Sequence, residues 1–257
     1  TVMYIIQNVD ESKAITCVGE EDEVKIGGER FLEFTARCCK EGILPENCYC
    51  VRLYRTTYEG ERLVNTTQVN YVDPLDRKQI LEADQELRHQ MNIITDFLRK
   101  YVPGYEHCTI KTGASTLGIR ESRRFSGKYV MNISDLREAR RFPDVVVHKA
   151  QFVVDIHNPV GGGQANGIAE YVDAYDIPWR SLVPQKMENL ILAGRCISGT
   201  HEAMASYRVM AIAMAIGEAA GIGAALAIDH DVTPENLDVK YIQKALMDKG
   251  AVLFDEK

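Results

Sequence analysis

A mixed α/β (α+β) fold is predicted by three features of the sequence. Short apolar runs alternate with turns over the first seventy residues. A helical apolar stripe follows between Ile80 and Tyr101. Later an apolar run, Asn189–Ala193, leads through a small-residue loop into a long Ala- and Gly-rich stretch, the pattern of strand, loop and helix. The 257 residues are 46% hydrophobic and 26% charged, ordinary for one large globular domain or two smaller ones. A net charge of -7 speaks against nucleic acid or an anionic membrane as partner. One Trp and 8% aromatics speak against a base-stacking platform.

Along the chain, YIIQNV, AITCV, EVKIGGERFLEFTARCC and VRLYRTTYEGERLV read as strands or short helices around Gly27-Gly28 and Glu59-Gly60. Asp73-Pro74 then supply an N-cap and first helical residue, and Pro103-Gly104 a stop. Between them Ile80, Leu87, Met91, Ile94, Leu98 and Tyr101 share one face, as core packing requires, with Asp84, Glu86, Arg88 and Arg99 turned elsewhere. Asn189–Ala193 reads as a buried strand, Gly194–Thr200 as a loop, and Ser206–Ile228 as one helix. Its length invites a membrane reading, which Arg208 and Glu218 oppose because ionised groups are costly in hydrocarbon. Gly217, Gly221 and Gly223 each cost a helix about 1 kcal/mol relative to Ala, so close packing against a sheet or a flat ligand is expected. A last helix is expected over Pro234–Lys249, with Thr233 as cap and Gly250 beyond its end, and Val252–Phe254 as an edge strand.

Seven cysteines suit free thiols in a reducing compartment, the cytoplasm being favoured. Cys38, Cys39, Cys48 and Cys50 are the alternative, a metal site, but their spacing matches no zinc pattern and no His lies nearby; no metal is expected. No basic segment followed by a long apolar one opens the chain at Thr1, so no secretory signal is visible.

The turn from Gly194-Arg195 into a helix is where chemistry is expected, because free N–H groups and the helix dipole favour an anion or a polarised carbonyl. An ordinary strand-to-helix crossover has the same pattern. Lys and Arg cluster between Arg120 and Arg141. Arg120, Arg123 and Arg124 offer donor forks suited to a carboxylate, phosphate or developing oxyanion, while Glu121 makes a local ion-pair cluster the alternative. His157 ends the strand-like FVVDIHNPV before Gly161-Gly162-Gly163, and His201 precedes the helix; the other histidines lack such a setting. Tyr171, Tyr175, Trp179 and Arg180 read either as a pocket lining or as a buried aromatic turn.

The segment NLILAGRCISGTHEAMASYRVMAIAMAIGEAAG is similar to the last FAD-contacting segment of bacterial FAD-dependent oxidoreductases, and more distantly to that of fumarate reductase and succinate dehydrogenase flavoproteins. GASTLGIRESRRFSGKYVMNISDL resembles the family's Gly-x-Arg-Glu-x-Arg-Arg signature, and the resemblance runs from about Val64 to Phe254. It implies the C-terminal part of a Rossmann-like FAD-binding domain over 113–257, with a mixed α/β substrate or cap portion over 1–112. It also implies FAD contacts at Gly194, Arg195, Ser206, Arg208, Val209 and Met210, with His201, Arg120 and Arg124 catalytic. A flavin enzyme needs a proton donor or acceptor beside the hydride-transfer position, the role expected of His201. Arg195 stands where the distant relatives carry Glu, so a carboxylate contact to the cofactor's sugar does not carry over. No strand–GxGxxG–helix unit occurs in these residues. The pyrophosphate-gripping segment is therefore an expected partner from outside this sequence, beside a small-molecule substrate, and the chain alone is expected to bind FAD weakly and to be inactive. A non-catalytic binding or assembly module with a flavoprotein-like fold is the rival reading.

Overall fold

The computed structural model describes residues 1–20, 22–156 and 169–255, which fall into two compact units, 1–122 and 123–156 with 169–255. Both mix helices with strands, and every strand pair among the described residues is antiparallel, so the class is α+β.

In the first unit β1 (Tyr4–Gln7) is central, and alternate residues Tyr4 and Ile6 enter the core as the two-residue period of a strand dictates. The small hairpin β2 (Lys25–Ile26) and β3 (Glu29–Arg30) turns on Gly27 and Gly28, both at positive φ. Directly after it FLEFTARCCK, which the sequence left between strand and helix, forms α1 (Phe31–Lys40). β4 (Arg52–Arg55) and β5 (Arg62–Asn65) pair around the Glu59-Gly60 turn, and the sheet order is β4-β5-β1-β6, with β6 at Thr109–Gly113. Pairing of β6 with β1, and of the Gly118 amide with the Thr1 carbonyl at 2.7 Å, carries this unit to Ser122, beyond the Gly113 boundary suggested by resemblance.

Helix α2 (Arg77–Tyr101) begins three residues later than expected, because Asp76 accepts the Lys78 and Gln79 amides. Leu87, Met91, Ile94 and Leu98 are buried, as the stripe requires, and pack with Tyr4, Ile6 and Phe31 in one core. Arg62 is also fully buried there; Glu11 meets its two terminal nitrogens and accepts the Gly60 amide at 3.0 Å. All seven cysteines are free thiols, and burial pushes Cys17 and Cys48 up to about 12 and Cys39, Cys50 and Cys108 up to about 11.

In the second unit α3 (Ile133–Arg137) starts with a capping box between Asn132 and Asp135. The pair β7 (Val145–Ala150) and β8 (Tyr175–Pro178) is irregular, shifting register twice. The expected strand at Asn189–Ala193 does not form: the residues are irregular, and Leu192 donates to the Leu182 carbonyl at 3.0 Å without entering a ladder. Its apolar character stands, but among the described residues no strand pairs with it. Nor does Val252–Phe254 form a strand; Leu253 instead inserts into the core from irregular chain. The single helix expected over Ser206–Ile228 is two, α4 (His201–Tyr207) and α5 (Met210–Asp229). α6 (Val239–Asp248) is capped by Asp238 rather than Thr233, and Gly250 takes the expected left-handed conformation at φ +95.

α5 packs on β7 and α6 through Ile212, Ile216, Ala219, Gly223 and Ala227. Its opposite face is apolar and open, with Met210 83%, Met214 74% and Ile228 80% exposed. The three glycines divide between these faces. A Cβ on Gly223 would lie 2.3 Å from the Trp179 ring, whereas one on Gly217 or Gly221 would meet nothing within 4 Å. With a mean hydropathy of 1.9, α5 is the one helix among the described residues long and apolar enough to cross a membrane, yet one face packs in this core and Glu218 interrupts the other.

Two outcomes follow for the 257-residue chain in denaturant titrations. Gly223→Ala is expected to cost about 1–3 kcal/mol by overpacking against Trp179, and Gly221→Ala to gain up to about 1 kcal/mol of helix propensity; equal effects at the two sites would contradict the division of faces. Arg62 holds the Glu11 carboxyl at about 2, below its ordinary 4.5. The folded state thus binds fewer protons than the unfolded in this window, and the stability from Glu11 is complete above pH 4.5 and lost as pH falls toward 2. Glu11→Gln should flatten that acid limb and cost about 3 kcal/mol, since it strands a buried guanidinium.

Candidate functional site

The residues singled out in the second unit lie along one continuous path, from the turn at Gly194 to the start of α5. Gly194, at φ +70 with open space where a Cβ would stand, begins a 3-10 turn to Cys196. That turn packs on α5 and leaves Arg195 exposed. The chain then passes Met131, whose amide donates to the Ser198 carbonyl at 3.1 Å and whose carbonyl accepts the Thr200 amide at 2.8 Å. Gly199 has no room for a side chain, because a Cβ would lie 2.6 Å from the Tyr207 hydroxyl. Arg124 Nε donates to the Gly199 carbonyl at 2.9 Å. The Thr200 hydroxyl accepts the Ala203 amide at 3.4 Å as N-cap of α4.

His201 is thus the exposed first residue of a helix fixed to the strand-like segment at Met131 and to Arg124. Arg124 thus bonds the backbone two residues before His201. Beside His201, the Glu202 carboxyl is held below its usual range, first by its own backbone N–H and also by the Thr200 hydroxyl, so an ionised carboxylate neighbours the imidazole.

α4 ends at Arg208, and Val209 turns extended (φ -73, ψ 154) before the chain re-enters a helix at Met210. Among the described residues no side chain caps α5 at Val209, and its first-turn N–H groups lie at the positive end of a 20-residue dipole. Arg208 Nη2 donates to the Asp155 carbonyl at 3.1 Å and also meets the Asp155 carboxylate, while its buried Nε has no hydrogen-bond partner among the described residues. Ser206 lies inside the core: its hydroxyl donates to the Phe152 carbonyl at 2.6 Å and meets the Tyr175 hydroxyl at 2.8 Å.

Arg120 belongs to the first unit, where with Glu121 it borders a cavity of about 270 Å³ floored by Ile80, Leu87 and Leu117. His157 and Gly161-Gly162-Gly163 lie outside the described residues. Tyr175, in β8, and Trp179, in the 3-10 turn after it, are buried, whereas Tyr171 is 73% exposed. The C-terminal end of the basic cluster is committed to ion pairs, Arg137 with Glu170, Arg140 with Asp135 and Arg141 with Asp176, and beyond it Arg180 pairs with Asp144.

Sequence reading missed Asp155, and missed the buried pair of His148 Nδ1 with Asp176 Oδ1 at 2.8 Å. Neither has a local motif, since the partners stand 53 and 28 residues apart.

The setting of Ser206 has a direct check. Ser206→Ala leaves the Phe152 carbonyl and the Tyr175 hydroxyl without this partner, and should cost the cofactor-free chain about 1–3 kcal/mol in urea unfolding. A hydroxyl serving only a bound ligand would leave that value unchanged.

A family model described as FAD dependent oxidoreductase matches residues 1–246. No curated protein and no solved structure matches the chain. The match includes the first sixty residues, for which the sequence offered no motif, along with the path from Gly194 to Met210. The chain belongs to the FAD-dependent oxidoreductase family, and FAD is its cofactor.

Proposed function

We infer that the path from Gly194 to Met210 holds the flavin end of FAD, and that the complete protein transfers hydride between flavin and a small organic substrate. The observation that carries this reading is the break at Arg208–Val209, which opens an uncapped helix start beside a buried, unpartnered guanidinium nitrogen. These donors suit the electron-rich carbonyl and nitrogen edge of an isoalloxazine ring. Bound FAD would supply the hydride chemistry; the residues around it supply binding, orientation and proton handling.

Gly194 and Arg195 border the path, and Val209 and Met210 present backbone at its end. Arg208 contributes its Nε, while Ser206 supports the path from within the core. His201 is the proton donor or acceptor, exposed on a helix start that Arg124 and Thr200 hold in place. Arg120, at the edge of its own cavity, offers a donor fork for an anionic group of the substrate. The pyrophosphate grip comes from a segment outside these 257 residues, and the open apolar face of α5 suits packing against it.

Two measurements test this. The 257-residue chain alone should show only weak flavin binding by absorbance and equilibrium dialysis; tight stoichiometric FAD would contradict the need for an added segment. In the complete enzyme His201→Gln should leave FAD bound and slow flavin reduction roughly 10²–10⁴-fold in stopped flow, the usual worth of a general acid–base group. An unchanged reduction rate would remove His201 from the chemistry.

A further inference from the structure

Asp155 has no part in the reading above, yet it meets the guanidinium that stands immediately before the N-cap of α5. Arg208 is only 13% exposed and Asp155 15%, so both charges are largely withdrawn from water. A guanidinium so placed requires a counter-charge, which the Asp155 carboxylate provides, while the Asp155 backbone carbonyl accepts a further hydrogen bond from it. The pair is neutral as a unit. At the start of α5 the favourable field for negative charge therefore comes mainly from the helix N–H groups, while much of the arginine's charge is cancelled. Among the described residues Arg208 keeps a buried Nε with no partner, even though its charge is compensated.

We propose that Asp155 tunes the flavin site: by pairing with Arg208 it limits how strongly the start of α5 favours reduced, negatively charged flavin over the neutral oxidised form. The proposal rests on the assignment of Gly194–Met210 to the flavin. Asp155 acts through Arg208 and is a positioning residue. A purely structural role also exists for the pair, since it ties the chain at Asp155 to the junction of α4 and α5. That role makes both partners behave alike when removed, whereas charge tuning makes them behave oppositely.

The experiment uses the complete, FAD-loaded protein and reads the ratio of affinities for reduced and oxidised flavin from the midpoint potential. A neighbouring charge shifts such a balance by about one pKa unit or more. Asp155→Asn is expected to raise the preference for reduced flavin roughly tenfold, about 30 mV more positive for a two-electron couple. Arg208→Gln should move it about as far the other way, and Arg208→Lys, which keeps the charge, should stay near the wild-type value. Potentials that move in the same direction in Asp155→Asn and Arg208→Gln, or do not move, overturn the proposal and leave the flavin assignment standing. If Asp155→Asn does not fold, the contrast between Arg208→Gln and Arg208→Lys decides: equal potentials overturn the tuning role. A wild-type protein that binds no FAD overturns the site assignment and this proposal together. In the flavin-free protein Asp155→Asn should also lower the melting temperature, because a buried guanidinium loses its counter-ion; an unchanged melting temperature would show that the pair is not formed.

Discussion

The interruption of the helix at Arg208–Val209 is the constraint on which the candidate site depends. Had residues 201–229 formed one helix, the amides of the first turn of α5 would be bonded to carbonyls of the preceding turn. The extended backbone at Val209 withdraws those acceptors and creates a second helix start. The break is held from the α4 side. Ser206 is tied to Phe152 and Tyr175, Arg208 to Asp155, and Tyr207 closes over Gly199. Each tie brings a different stretch of the second unit against α4, so the geometry at Met210 is set by tertiary contacts rather than by a helix-breaking residue. No proline stands at the junction, and the local sequence, Ala-Ser-Tyr-Arg-Val-Met-Ala, gives no warning of it.

Elements were legible where one periodicity had one explanation. α2 is the clear case: its stripe faces a core built from β1 and α1, and its stop at Pro103-Gly104 is kept, with Gly104 at φ +86. Its start, expected at Asp73-Pro74, lies instead at Asp76, whose side chain accepts the free amides of Lys78 and Gln79. α1 was hidden by composition, since Phe, Thr and Cys are common in strands, and burial of Phe31, Thr35 and Cys38 at helical spacing overrides that preference. The apolar run at Asn189–Ala193 illustrates the opposite limit. Hydrophobicity shows that a segment seeks burial, but a strand also needs a neighbour to take its backbone hydrogen bonds, and periodicity says nothing about neighbours.

The site divides in the same way. Gly194 was singled out as the end of a strand that does not form, yet it takes a positive φ there, and His201 was singled out before a helix that does begin at that residue. Arg124 was singled out for its donor fork, whereas its bond to the Gly199 carbonyl is a long-range fact that no spacing contains. Asp155 was invisible for the same reason. Of the three glycines expected to pack closely, only Gly223 does so, against Trp179. Glycine records that a side chain is unwelcome, without recording whether the reason is already present in the fold.

Gly217 and Gly221 raise that question, because a glycine in a helix interior is costly and none of the described residues occupies the space beside them. They share the open face of α5 with Met210, Met214 and Ile228, and Met210 is also the first residue of the uncapped helix start. On the proposed reading, the face that receives the pyrophosphate-binding segment and the end that meets the flavin are therefore parts of one rigid helix. A segment that covers Met210 and Met214 also excludes water from the first turn of α5, which strengthens each N–H group there toward a negative ring edge. The converse holds by linkage: a flavin bound at that end favours whatever packs on that face, by the same free energy. On that reading, cofactor binding and packing of the segment on α5 are one coupled equilibrium, with the apolar face of α5 as the element that couples them.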